Sequence, residues 1–223
     1  MHPATLQATV MAITDPYLVA QYSRIHGSKT YGQTCHAHAA AIHACLIDLK
    51  PQVVVEYGCG QSELGRMLPY AGRWVRYDPA ISGIDRLDER RADLVINTDV
   101  LEHVPQDDLD DLLANIASLS DRVFFSICTR PALEVLPDGQ NAHCTVWPPN
   151  RWLEVLSRHF PHTILAHERR GESCVFVTWN SGVAALIGQI EELQDRTARE
   201  GRRKTLRQRL RRAIARLTGV TRA

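Results

Sequence analysis

Two groups of residues in this 223-residue chain combine side chains and spacings that chemistry requires. The first is Glu56-x-Gly58-x-Gly60, with Asp78 twenty residues past Gly58. Two glycines at the end of a strand-like run let the backbone turn sharply and come close to a bound group. An acid at the end of the next strand is where a doubly wound sheet holds ribose hydroxyls. The second group is Asp99, Glu102 and His103, joined by His143 in a later loop. Carboxylates and imidazoles in this mixture suit a divalent ion of borderline softness. They equally suit proton removal from a hydroxyl, with His103 or His143 as general base and a carboxylate orienting it. A third reading has Glu102 and His103 simply capping or pairing at a helix start.

Each group needs elements to position it. Val53–Val55 is a β-branched run of the kind found in buried parallel strands, and it leads straight into the glycines. Ser62 is the expected N-cap of a helix whose apolar face is Leu64, Met67 and Leu68, so that amides at the helix start face the turn. Arg73–Tyr77 is the next strand, ending at Asp78. Only about fifteen residues separate Asp78 from the run Asp93–Asn97, fewer than a full helix and strand need. A truncated or looped crossover is expected there, with Asp85 and Asp88 both open as adenine contacts. Asp99, Glu102 and His103 follow the run Asp93–Asn97 directly, at the carboxyl end of a strand, where open α/β sheets bind ligands. Residues 105–119 read as the clearest helix, with Leu109, Leu112, Leu113, Ile116 and Leu119 on one face and Asp107 and Asp108 at its positive end. A strand is expected at 122–128, a polar loop to a helix at 150–159, and a closing hairpin of strands near 164–167 and 174–179.

With these elements in view, Glu56-x-Gly58-x-Gly60 and Asp78 resemble the cofactor site of class I S-adenosylmethionine-dependent methyltransferases. The run Thr98-Asp99-Val-Leu-Glu102-His103-Val-Pro105 resembles the segment after the fourth strand of that family, which includes ubiquinone-biosynthesis O-methyltransferases and small-RNA 3′-terminal 2′-O-methyltransferases. The resemblance covers about residues 50–180. It implies a Rossmann-like three-layer α/β/α fold, and the element count matches a seven-stranded sheet with its last strand reversed. It implies S-adenosyl-L-methionine as cofactor, held by Glu56, Gly58, Gly60, Asp78 and Asp99, with Asp99, His103 and His143 catalytic at the acceptor. In the small-RNA family an E-x-x-E-H run and a loop histidine hold a divalent metal. The matching ligands are Glu102, His103 and His143, and Asp99 stands where that family has Glu. The N-P-P-Y-type run associated with amino-group methylation is replaced by Asn97-Thr-Asp-Val. An oxygen acceptor is therefore expected, a hydroxyl of a small molecule, sugar or glycan. Two alternatives stand beside it: a terminal-nucleotide RNA 2′-O-methyltransferase, and a methyltransferase-like binding or regulatory subunit.

A hydrophobic content of 44% and a charged content of 23% are ordinary for a globular protein, and the length fits one α/β domain with appendages. No apolar run approaches the roughly 18 residues of a membrane span, and the N-terminus lacks the pattern of a secretory signal. Six cysteines without a C-x-x-C pair read as reduced, so a cytoplasmic location is expected. The expected units are a helical lid at 1–50, a methyltransferase domain at 51–180 and a basic tail at 181–223. Within the alanine-rich helix at 34–49, His36, His38 and His43 are expected at the surface, because 36 and 38 point to different sides. Trp147, Trp152 and Phe160 are expected to be packing residues. The net charge of +1 hides an asymmetry: nine basic residues and no acid fall in 201–223, which leaves 17 basic and 25 acidic residues, a net −8, in 1–200. Residues 202–217 interleave arginines with Leu206, Leu210, Ile214 and Leu217, the pattern of a basic amphipathic helix. An anionic membrane surface, reached from the cytoplasm, is its expected partner. Nucleic acid is disfavoured because the tail has no aromatic residue to stack on bases. The bland alternative is a helix resting on the acidic body.

Overall fold

Strands that are apolar on both faces must lie inside a sheet covered on both sides. In the computed structural model, which describes residues 15–218, β1 (Val53–Tyr57) and β3 (Leu94–Thr98) are such strands and pair in parallel. β2 (Arg73–Tyr77) adds to the other side of β1, and β4 (Val123–Cys128) to β3, both parallel. β5 (Ile164–Arg169) and β6 (Ser173–Val177) form an antiparallel hairpin, and β6 runs antiparallel to β4. The sheet order is β2-β1-β3-β4-β6-β5. Helices α4 (Leu109–Leu119) and α5 (Pro149–His159) cover one face, where Leu113, Ile116, Trp152 and Leu156 meet Phe125 and Phe176. On the other face, α2 (Ala39–Leu49) and α6 (Val183–Thr218) bury Ile42, Cys45, Val183 and Ile187 against Val54, Phe124 and Val177.

The sheet has six strands, not the seven expected. The chain from 79 to 93 makes no strand and no helix; it is spent on turns, with Leu87 as a buried anchor and the Asp78 N–H donating to the Ile84 carbonyl at 2.9 Å. The truncated crossover is thus as expected, and β2 becomes an edge strand. The helix after the glycine turn is also shorter than expected. α3 is one turn, Leu64–Met67, because Leu68 is extended ahead of Pro69. Of its expected apolar face only Leu64 is fully buried, and Met67 is exposed. Ser62 does accept the Leu64 N–H at 3.0 Å, but four residues make no sizeable helix dipole.

The N-terminal segment consists of α1 (Pro16–Ser28), a 3₁₀ turn at Thr34–His38 and α2. Gln61 stitches this segment to the glycine turn. Its backbone N–H donates to the Tyr31 carbonyl, its Oε1 accepts the Tyr31 N–H at 2.8 Å, and its amide donates to the His26 carbonyl. The expectation of surface histidines is corrected here. The 3₁₀ turn aims His38 inward, between Ser126 Oγ at 2.9 Å and Glu191 Oε1 at 2.8 Å, and His36 Nε2 accepts the Glu63 N–H. At the other terminus α6 runs to Thr218. The stripe of Leu206, Leu210, Ile214 and Leu217 lies outside the residues whose side chains are described. No helix among the described residues is long and apolar enough to cross a membrane.

Candidate active site

The glycine turn leaves β1 with Gly58 at φ 75° and Gly60 at φ 51°. A Cβ at Gly58 would sit 2.5 Å from Val100, and one at Gly60 would sit 2.9 Å from the Gly32 backbone. Both glycines are thus demanded by protein contacts and left-handed backbone, and not by a ligand alone. Asp78, 7% exposed, fastens the turn: Oδ2 accepts the Gly60 N–H at 2.8 Å and Oδ1 the Ala80 N–H at 2.9 Å. Each carboxylate oxygen keeps further acceptor capacity for a ligand hydroxyl. Glu56 lies beneath the turn, 1% exposed and off the cleft wall. Its Oε2 accepts the Trp74 indole N–H at 2.9 Å, and burial raises its carboxyl above the usual range.

Gly58, Gly60, Asp78, Asp99 and His103 line one cleft. The opposite wall comes from the N-terminal segment: Leu18, Tyr22, His26 and Tyr31. None of these four is among the expected site residues. The available signal was the spacing of 18, 22 and 26, one stripe of a helix. Asp85 and Asp88, the two candidates for an adenine contact, are exposed and off this cleft.

Behind Asp99 the acid–imidazole group comes together. Glu102 and His103 sit in their own 3₁₀ turn, Leu101–His103, and not at the start of α4, so they do not serve as its cap. Glu102 is fully buried; Oε1 accepts the Cys128 N–H at 2.8 Å, while Oε2 has no hydrogen-bond partner among the described residues. His103 Nδ1 is 2.8 Å from the Ala142 carbonyl and 2.7 Å from the Tyr22 hydroxyl. A carbonyl only accepts, so Nδ1 carries the proton and Nε2 the lone pair. His143 repeats the arrangement, with Nδ1 2.6 Å from the Arg130 carbonyl. One ligand atom from each of Glu102, His103 and His143 lies within 4.8 Å of the other two. Burial, and then the neighbouring His143, pushes His103 down to about 4, which keeps the imidazole neutral. Burial, and then the charge of Asp99, holds Glu102 well above the usual carboxylate range. A buried carboxyl oxygen without a partner among the described residues, on a residue grouped with two imidazoles, gives a donor set that fits a divalent cation.

Trp152 and Phe160 are core residues and Trp147 stacks obliquely on Trp152, which is the packing role expected of them.

Neither a protein-family model nor a curated protein matches the sequence. Among solved structures the chain is similar to 1,6-didemethyltoxoflavin-N1-methyltransferase of Burkholderia thailandensis, bound to 1,6-didemethyltoxoflavin and S-adenosylhomocysteine. The identity is 17% over 79% of this chain and 96% of that one, with a TM-score of 0.52. The fold is the class I methyltransferase fold. The N-methyltransferase NodS of Bradyrhizobium japonicum, also with S-adenosylhomocysteine, is similar at 12% identity over 71% of this chain and 96% of that one, with a TM-score of 0.49. The sheet ends at β2 on one side, and on the other the reversed strand β6 lies between β4 and the edge strand β5.

Proposed function

We propose that the protein is an S-adenosylmethionine-dependent methyltransferase acting on a hydroxyl of a small molecule or sugar, with a divalent metal at Glu102, His103 and His143. The observation that carries this reading is that the glycine turn, Asp78, Asp99 and His103 share one cleft in a methyltransferase fold. The cofactor supplies an electrophilic sulfonium methyl. Asp78 would hold its ribose and the Gly58–Gly60 turn would approach it, while Glu56, on the Trp74 indole, would act from outside the cleft. The residues before 50 act as a lid, because Tyr22, His26 and Tyr31 close the cleft from above. Residues 51–180 carry the catalytic machinery, and within 181–223 the start of α6 packs on them while the basic stretch from 201 is directed to anionic surfaces.

The metal supplies Lewis-acid polarisation of the acceptor oxygen. His103 and His143, each with Nδ1 on a backbone carbonyl, would hold the metal together with the Glu102 carboxyl. The lowered pKa of His103 favours a ligand over a general base, since a base works best with a pKa near the working pH. Asp99 at the strand end orients the acceptor. Incubating the chain with methyl-labelled S-adenosylmethionine and deproteinised cell extract should label a small product, and chelator should stop the labelling until metal is restored. Labelling that survives chelator but is lost in His103→Ala would transfer the role to a general base.

A further inference from the structure

We propose that a second cleft, meeting the first at Asp99, is the acceptor site and takes a neutral, hydroxyl-rich molecule of sugar type. This inference rests on the methyltransferase reading. The cleft lies between the 3₁₀ turn at Thr34–His38, the carboxyl ends of β4 and β5, and α6. Asp99 stands on the walls of both clefts. Cys128 and Arg130 also line the second one, and their backbone groups are those that hold Glu102 and His143. A molecule seated there therefore borders Asp99 and the two residues whose backbone groups hold Glu102 and His143.

The chemistry of the walls decides the class of acceptor. Glu191 pairs with His38 at 2.8 Å, Asp195 with Arg169 at 3.0 Å and with His167 at 3.3 Å, and Glu172 with Arg169 at 3.2 Å. On these walls four carboxylates, Asp99, Glu172, Glu191 and Asp195, face two arginines, Arg130 and Arg169, so the cleft does not select an anion. The pairs still leave hydrogen-bonding capacity. Glu191 uses only Oε1, and Arg169 contacts both acids through Nε, which leaves its terminal N–H groups as donors. A hydroxyl donates and accepts at once, so a polyol uses both kinds of group, whereas a simple anion or cation uses one. The wall holds no Phe, Tyr or Trp among the described residues, and its two imidazoles, His38 and His167, are engaged by acids, so a flat aromatic acceptor has no broad apolar face to stack on. His38 is held at both ring nitrogens, by Ser126 and by Glu191, which makes that wall rigid.

Ala37 and Ala198 line this cleft and not the first. The test uses the full chain saturated with S-adenosylhomocysteine and saturation-transfer NMR against neutral aldoses and their methyl glycosides, with catechol and benzoate as comparators. At least one neutral sugar should give a signal that Ala37→Trp and Ala198→Trp each weaken by about tenfold or more, through steric exclusion. Calorimetric affinity for S-adenosylhomocysteine should stay within about twofold, since the substituted positions are off its cleft. That retained affinity also verifies that each variant is folded. A sugar signal unchanged in both variants, a preference for catechol or benzoate, or no sugar signal from the loaded protein would each overturn the inference. Failure to bind S-adenosylhomocysteine at all would overturn the methyltransferase reading itself.

Discussion

At the scale of single residues, the site is a contest between burial and partnership. Glu102 has one oxygen satisfied by the Cys128 N–H and one with no protein partner among the described residues, a costly arrangement unless a cation completes it. Calorimetric titration with Zn²⁺ or Mn²⁺ should therefore show one site, and Glu102→Gln should weaken it by about 10–100-fold, the equivalent of a lost charged interaction. Unchanged affinity in that variant would remove Glu102 from the metal. Tyr22→Phe deletes the hydroxyl that sits on His103 Nδ1 and the Ala142 carbonyl, and should lower metal affinity by about tenfold, as loss of an outer partner does. An effect on stability alone, with metal affinity intact, would make Tyr22 a packing residue. Asp78, Asp99, Glu102, His103 and His143 were legible because each belongs to a short motif or follows a strand. Tyr22 was not, because it reaches His103 across 81 residues of chain, and no local pattern encodes that contact.

At the scale of elements, the buried pair His38–Glu191 ties the start of α2 to α6. Burial alone would lower the His38 pKa, but the Glu191 hydrogen bond and charge outweigh it and raise the imidazole above its ordinary value. Asp99 adds to the rise and Arg169 opposes it. The folded state thus holds this proton more tightly than the unfolded chain, whose histidines titrate near about 6.5. The stabilisation is complete below about pH 6.5 and is lost as pH rises through the higher folded value. Denaturant melts should show His38→Gln costing about 2 kcal/mol at pH 6, with the gap to the parent protein narrowing above pH 7. A gap constant from pH 6 to 9 would contradict the assignment of charge to His38. The strands were readable because β-branched and aromatic runs announce them. The short α3 was misjudged because Leu64, Met67 and Leu68 fit helical spacing, while Pro69 ends the helix before that spacing can be used. Surface histidines were expected from helical geometry, yet the first turn is 3₁₀ and aims His38 at the sheet.

At the scale of the whole molecule, an acidic body carries a basic extension. The described contacts of α6 with the body involve Val183, Ile187, Glu191 and Asp195, all before residue 200. A chain ending at Glu200 should accordingly stay folded and keep its cofactor affinity. The full chain should co-sediment with phosphatidylserine vesicles at low salt, helped by about 1 kcal/mol per basic residue near the surface, and the shortened chain should not. Equal partitioning of the two would remove the membrane role. The charge asymmetry and the α/β architecture were both legible from composition and motif order. The second cleft was not, since four segments distant in sequence build it. The most direct test of the central claim is titration calorimetry of the full chain with S-adenosylmethionine. Binding at one site is expected, weakened in Asp78→Ala by about 1.5–3 kcal/mol, the range for a charge-assisted hydrogen bond. No binding, or tighter binding of NADH, would contradict the account.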